Sequence, residues 1–212
     1  AICKSITPEE IKKQFGTDIH DIVTGLVKVN ALDVNESVMA SDNYIKLLIS
    51  MAEDMRVILI KIASRLQMIR CAESYDEKNR LQLAIEVSSL YTPLAHKLGL
   101  YKIKTEMEDL YLKYTDRDAY NFVQEKLSES KDARDKFISE FIEPVNKKLK
   151  ETGLKYEIKG RIKSVSSINN KLKKQKIDFE SVYDLFAIRI ILDSPLEKEK
   201  AECWQAYSIV TD

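Results

Sequence analysis

The chain has 212 residues and carries 34 Lys and Arg against 34 Asp and Glu, so there is no global electrostatic pull toward nucleic acid or an anionic membrane, and any basic site must be local. Its three cysteines, Cys3, Cys71 and Cys203, have neither CxxC spacing nor an even count, and with only two histidines they argue against a disulfide framework or a zinc cluster. No apolar run approaches the roughly 18 residues that span a bilayer, and no basic-then-apolar leader stands at Ala1. The length suits one large domain or two modest ones, and the expectation is a soluble, cytoplasmic protein of two.

In chain order, "TPEEIKKQFG" predicts a helix with Thr7 as N-cap, Pro8 at the first helical position and Gly16 as the stop. Apolar residues then recur at helical spacing from Tyr44, Leu47, Leu48 and Met51 through Met55, Ile58, Leu59, Ile62, Leu66 and Ile69, with Ser64 off the stripe. A helix is predicted from Glu77 to Leu98, kinked at Pro93, and another from Lys102 to Tyr114 with Ile103, Met107, Leu110 and Tyr111 inward. The first half therefore reads as all-α.

Between Ser128 and Lys136 the chain is almost wholly polar and reads as a connector, after which Phe137, Phe141, Ile142, Val145 and Leu149 resume a helical stripe that ends at Gly153. The period then changes. "KYEIKG" alternates Tyr156 and Ile158 with charges, "AIRIIL" at 187–192 is a β-rich run, and an α/β domain begins near Leu154. Between these strands a helix starts near Ser164 with Val165, Ile168 and Leu172 inward, and a last helix is predicted from about Leu196 to Val210. Internal repeats and low-complexity tracts are absent from the sequence.

The strongest chemical signal lies in this second part. From Lys155 to Lys176 there are eight basic residues and one acid, Glu157, which implies a polyanionic ligand. On a helix Ser164, Ser167 and Lys171 share one face, where hydroxyls, an ammonium and first-turn amides can converge on phosphate. Arg161 and Lys163 precede them from the strand end, on one edge, where Arg161 can also stack on a base. Asp184, directly before an apolar strand, is placed to hold Mg²⁺ against phosphate oxygens; its plainer role is a turn cap. A lone Lys-rich helix is more often a solvated surface, and without interleaved aromatics it is a weak RNA-binding signal.

These residues carry a family resemblance. "GRIKSVSSINNKLKKQKIDFESVYDLFAIRI", residues 160–190, is similar to the synthetase motif GRxKxxxSIxxKM and YDLxAxR of the RelA/SpoT alarmone enzymes, and "YTPLAHKLGLYKIKTEMEDL", residues 91–110, resembles that family's YxPLAHRLGxxxIKxELEDL. The resemblance implies an α+β fold, with an all-α HD-like domain over 1–115, connecting helices over 116–153, and the first part of an α/β nucleotidyltransferase-like synthetase domain over 154–212. It implies a GTP pyrophosphokinase of the stringent response that moves pyrophosphate from ATP to the 3′-hydroxyl of GTP or GDP. Carried over by motif, Asp184 is the catalytic carboxylate and Mg²⁺ ligand, Arg161 stacks near adenine, Lys163, Ser167 and Lys171 hold the ATP phosphates, and Arg189 supports the same pocket. The family's guanine-stacking tyrosine and second catalytic glutamate fall beyond Asp212, so this stretch alone is expected to make no (p)ppGpp.

The hydrolase half departs from the family pattern. "KIASRLQMIRC" is similar to KLADRLHNMRT, yet Ser64 stands where the metal-binding aspartate belongs and Met68 where a site asparagine belongs; "AICKSI" places Lys4 and Ser5 where the family has His and Asp. No Mn²⁺ is expected there, and this half is expected to be inactive. The His20–Asp21 pair in "DIHDIV" falls on ordinary helix surface in that pattern, and His96 reads as a structural, hydrogen-bonding residue. Two further readings stay open: a pyrophosphohydrolase with an unrecognised metal site, and a non-catalytic nucleotide-sensing module. Expected partners are ATP and GTP or GDP, with neither DNA nor membrane, and with the ribosome or regulators acting only through family regions outside this sequence.

Overall fold

The computed structural model describes residues 6–31 and 54–211, which fall into two compact units, Ala1–Arg117 and Asp118–Asp212. The part of the apolar stripe from Tyr44 to Met51, and Lys4 and Ser5, lie outside the described residues.

In the first unit α1 spans Pro8–Phe15 and begins as its sequence requires. Thr7 accepts from the Glu10 N–H while the Glu10 carboxylate accepts from the Thr7 N–H, a reciprocal capping box that satisfies two end donors. Gly16, at φ 85°, turns the chain into α2, Thr17–Asn30. The next helix, α3 (Met55–Arg70), buries Val57, Ile58, Ile62, Leu66 and Ile69. Met55 and Leu59, expected on the inner stripe, are exposed, because the helix seats a narrower strip at four-residue spacing and Val57 takes the place beside Ile58.

After a 3₁₀ turn at Ala72–Ser74 comes α4, Glu77–Glu86, capped by Asp76. The expected single helix kinked at Pro93 is instead broken one turn earlier: Val87–Tyr91 forms a π-helical turn and α5 covers Thr92–Lys97. Proline at 93 offers no N–H to the preceding turn, and the register widens ahead of it. The widened turn is closed at Thr92, whose backbone N–H and hydroxyl both donate to the Val87 carbonyl, the hydroxyl at 2.9 Å. Helix α6, Tyr101–Thr115, completes the unit; Met107 is fully buried, and Ile103, Leu110 and Tyr111 pack on the same core. No helix among the described residues is long and apolar enough to cross a membrane.

The second unit contains the helices read as connectors. The polar stretch around Ser130 interrupts helical structure only briefly, since α7 covers Arg117–Glu129 and α8 covers Lys131–Glu151. Its Lys, Glu, Asp and Ala residues are compatible with exposed helix, so polarity there marked exposure and not irregular backbone. Gly153, at φ 72°, then releases the chain into β1, Tyr156–Ile162. Strand β1 pairs antiparallel with β2, Phe186–Leu192, in the register Tyr156 to Leu192 through Ile162 to Phe186. Helix α9, Val165–Gln175, and a 3₁₀ turn at Phe179–Ser181 lie between them, and α10, Glu199–Thr211, starts three residues later than the Leu196 expected.

Alternation sorts the ribbon into two faces. Tyr156, Ile158, Ile190 and Leu192 pack with Val145 and Leu149 of α8 and Ala206 of α10. Glu157, Lys159, Arg161 and Arg189 are exposed. A separate small core of Val123, Ile168 and Phe179, flanked by Val165 and Leu172, holds α9 by its apolar face.

Candidate functional site

The site forms where β1 runs out and α9 begins. Ser164 caps α9, accepting from the Ser167 N–H at 3.3 Å, and its hydroxyl donates to the Ser167 hydroxyl at 2.7 Å. With Ile168 fully buried below, the polar face of α9 is fixed toward the end of β1. One expectation changes here: the Ser167 amide is already taken by Ser164, so the first turn offers fewer open donors than an uncapped helix would.

Lys163 is anchored by its own backbone, whose N–H donates to the Leu185 carbonyl at 2.8 Å. That bond sets Lys163 beside the approach to β2. Its ammonium donates to Asp184 Oδ2 at 2.5 Å, and Lys171, reaching across from α9, donates to Asp184 Oδ1. Asp184 thus joins two lysines that come from a strand end and a helix. The Lys163 ammonium, followed by that of Lys171, holds the Asp184 carboxyl down at about 2. Of the expected site residues, Lys163, Ser167, Lys171 and Asp184 are gathered on this edge.

Arg161 and Arg189 lie on the exposed face of the ribbon that leads away from it, Arg161 opposite Ala187 and Arg189 opposite Lys159. Cross-strand like charges repel, and Lys159 is drawn instead to Glu157, with Nζ to Oε2 at 2.7 Å. Sequence reasoning did not single out Ser166, which is buried with its hydroxyl 3.3 Å from that of Ser164; the three serines of "SVSS" were its only trace.

A divalent cation has one protein carboxylate on this edge, Asp184, and among the described residues there is no group of three or more His, Cys, Asp or Glu that could cage a metal. This donor set fits Mg²⁺ that keeps most of its ligands from water and phosphate, as that ion does.

The first unit presents a different picture around Ser64, where the resemblance leads one to expect the family's metal aspartate. Ser64 is exposed, and Met68 sulfur accepts from Arg65 Nη1 at 3.2 Å. Arg65 is also paired with Glu86 at 3.1 Å and sits 5.7 Å from the Tyr91 ring. Lys61, one turn earlier, donates to Asn30 Oδ1 at 2.6 Å, and burial, with Arg65 close by, pushes its pKa down. Half-buried cations flank Ser64, and these described residues do not fit a divalent metal. His20 Nδ1 lies 2.8 Å from Asp21 Oδ1 as a local surface pair on α2, and His96 meets Tyr101 edge to face with centroids 5.7 Å apart.

Helical unit and basic edge together define a two-part chain, an HD-type helical domain followed by the start of an α/β domain. An HD domain profile matches residues 1–101, and a profile described as a region found in RelA / SpoT proteins matches residues 160–212. The chain is 36% identical over 208 residues to a GTP pyrophosphokinase of Myxococcus xanthus, covering 96% of this chain and 27% of that protein. It is 34% identical over 205 residues to a guanosine-3′,5′-bis(diphosphate) 3′-pyrophosphohydrolase of Aquifex aeolicus, covering 96% and 28%. To the GTP pyrophosphokinase rsh of Brucella melitensis it is 30% identical over 205 residues, covering 96% and 27%. The chain belongs to the RelA/SpoT family. It spans little more than a quarter of the length of these relatives, whose names divide between synthesis and hydrolysis.

Proposed function

We propose that this chain comes from an alarmone synthetase, a GTP pyrophosphokinase in which the second unit supplies the ATP half of the site and the helical unit no longer hydrolyses ppGpp. The convergence of Lys163, Lys171 and Asp184 at the serine-capped start of α9 supports the reading most directly. Pyrophosphoryl transfer asks for alignment and neutralisation of phosphate charge more than for covalent chemistry. In this reading the two ammoniums take the β- and γ-phosphate oxygens, the Ser167 hydroxyl adds a donor, and Arg161, with Arg189 near it, holds the adenine by stacking. Mg²⁺ bound through Asp184 supplies local neutralisation of the departing phosphates. Exposed Ser64 and the cations beside it support the loss of hydrolysis.

A pyrophosphohydrolase is the second reading, favoured by the printed name of the Aquifex aeolicus relative. One pair of assays separates them, on a chain that includes the whole synthetase region. Transfer of labelled phosphate from ATP to GTP or GDP is expected, falling at least about a hundredfold in Asp184→Asn. Release of pyrophosphate from ppGpp with added Mn²⁺ is not expected. Hydrolysis without synthesis would reverse the assignment.

A further inference from the structure

Two helical registers compete for the chain between α4 and α5. In an α-helix, residues eleven apart fall on nearly the same face, because three turns take up about 11 residues. Leu83 and Leu94, Ala84 and Ala95, and Val87 and Leu98 are spaced in this way; the first five are buried, and Leu98 packs partly buried on the same core. An unbroken helix would carry the same apolar stripe to that core, so burial alone does not call for the π-helical turn at Val87–Tyr91. Pro93 weakens the α form, since it cannot donate to the Ser89 carbonyl and crowds it, yet a simple kink relieves that as well.

Glu86 and Tyr91 behave differently from the stripe. They are five residues apart, which sets them roughly 140° apart around an α-helix but on one side of a turn that closes from i to i+5. In the structure both meet a single guanidinium. Arg65 Nη2, from α3, lies 3.1 Å from Glu86 Oε1, and the guanidinium carbon lies 5.7 Å from the centre of the Tyr91 ring, with a hydrogen bond between those two side chains. Arg65 and Glu86 keep 25% and 23% of their side-chain surface, so a register that separated them would leave two half-buried charges poorly matched. Only the π register serves Arg65 from both residues.

We propose that Arg65 is a register clasp: residues 86–92 can pack in an α-helical or a π-helical form against the same core, and the joint hold of Arg65 on Glu86 and Tyr91 selects the π form. The clasp is within reach of solutes, because Arg65 and Glu86 stand with Met68, Asn79 and Gln82 on the wall of a cleft of about 550 Å³. The orientation of α5 is thereby set from the surface of the helical unit.

The Thr92 amide reports the register directly. In the π form its N–H donates to the Val87 carbonyl, and in the α form it donates to the Ser88 carbonyl. The test is NMR measurement of couplings through that hydrogen bond in the deuterated chain, for the wild type, Arg65→Met and Pro93→Ala, with circular dichroism to verify folding. The wild type is expected to show the coupling to Val87, Pro93→Ala to keep it, and Arg65→Met to lose it in favour of Ser88. Glu86→Gln combined with Tyr91→Phe keeps the side-chain shapes while removing the charge and the hydroxyl, and it is expected to shift as Arg65→Met does, which decides the matter if Arg65→Met does not fold. Retention of the Val87 coupling in the folded Arg65→Met chain, or in the double variant, would show that the core sets the register without the clasp. A shift to Ser88 in Pro93→Ala alone would assign the register to the proline and overturn the proposal equally.

Discussion

Ser164 and Ser167 are joined twice, since the Ser164 hydroxyl oxygen accepts the Ser167 N–H at 3.3 Å and the same hydroxyl donates to the Ser167 hydroxyl at 2.7 Å. The residue that starts α9 also positions a proposed phosphate donor. Ser164→Ala should therefore cost about 1 kcal/mol of stability through the lost cap and should also weaken ATP binding. Ser164→Asp keeps a capping oxygen but adds negative charge where phosphates are expected. Urea unfolding should show its stability near that of wild type while titration shows weaker ATP binding; unchanged binding in Ser164→Asp would place the phosphates elsewhere.

Asp184 should stay ionised far into acid. Its folded pKa, about 2, lies below the ordinary 3.8, so the pairing with Lys163 and Lys171 favours the folded state above the unfolded value and is lost as pH falls from about 4 toward 2. A carbon-detected NMR titration should give a midpoint near 2, and Lys163→Ala should move it up toward 3.8. A wild-type midpoint near 4 would show that the lysines do not hold this carboxylate in solution.

Stability of the helical unit should be indifferent to the side chain at position 64. Ile62 is 1% exposed in the core, and Ile62→Ala should cost about 2–5 kcal/mol through lost burial and a cavity. Ser64, two residues on, is exposed, and Ser64→Ala should stay within about 0.5 kcal/mol. Equal losses in the two variants by denaturant unfolding would contradict the packing of α3.

The chain equilibrated with Mn²⁺ and then desalted should retain substoichiometric metal by elemental analysis, because Ser64 and Met68 are poor ligands and Lys61 and Arg65 are cations. Stoichiometric retention would reopen the hydrolase reading.

Thr92→Val should cost about 1 kcal/mol, since it removes a buried hydroxyl hydrogen bond to the Val87 carbonyl but keeps the shape of the side chain. Thermal unfolding that is unchanged would mean that the backbone N–H of Thr92 alone sustains the π-helical turn.

Features fixed by local chemistry were legible in the sequence. Thr7 and Ser164 announce helix starts by type and spacing, and Tyr156 with Ile158 announces a strand face by alternation. The π-helical turn was not legible, because it depends on how the Val87 carbonyl is satisfied ahead of Pro93. Helices α7 and α8 were obscured around Ser130 because exposed helix and polar connector share a composition. At the site, the expected Lys163, Ser167, Lys171 and Asp184 share one edge, while Arg161 and Arg189 stand on the ribbon face that leads away from it. What sequence could not display is that Lys163 and Lys171, 21 and 13 residues from Asp184, both turn to that single carboxylate.

The two-faced ribbon of β1 and β2 makes salt a tool that separates architecture from occupancy. One face is hydrocarbon, Ile158, Ile190 and Leu192 against Val145 and Leu149, and excluded salts such as ammonium sulfate strengthen that contact. The other bears Lys159, Arg161 and Arg189 in the open, where the same ions shorten the reach of every cation to roughly 3 Å at molar ionic strength. Concentrated sulfate should leave this ribbon more firmly folded than dilute buffer does, while weakening ATP binding at the proposed site.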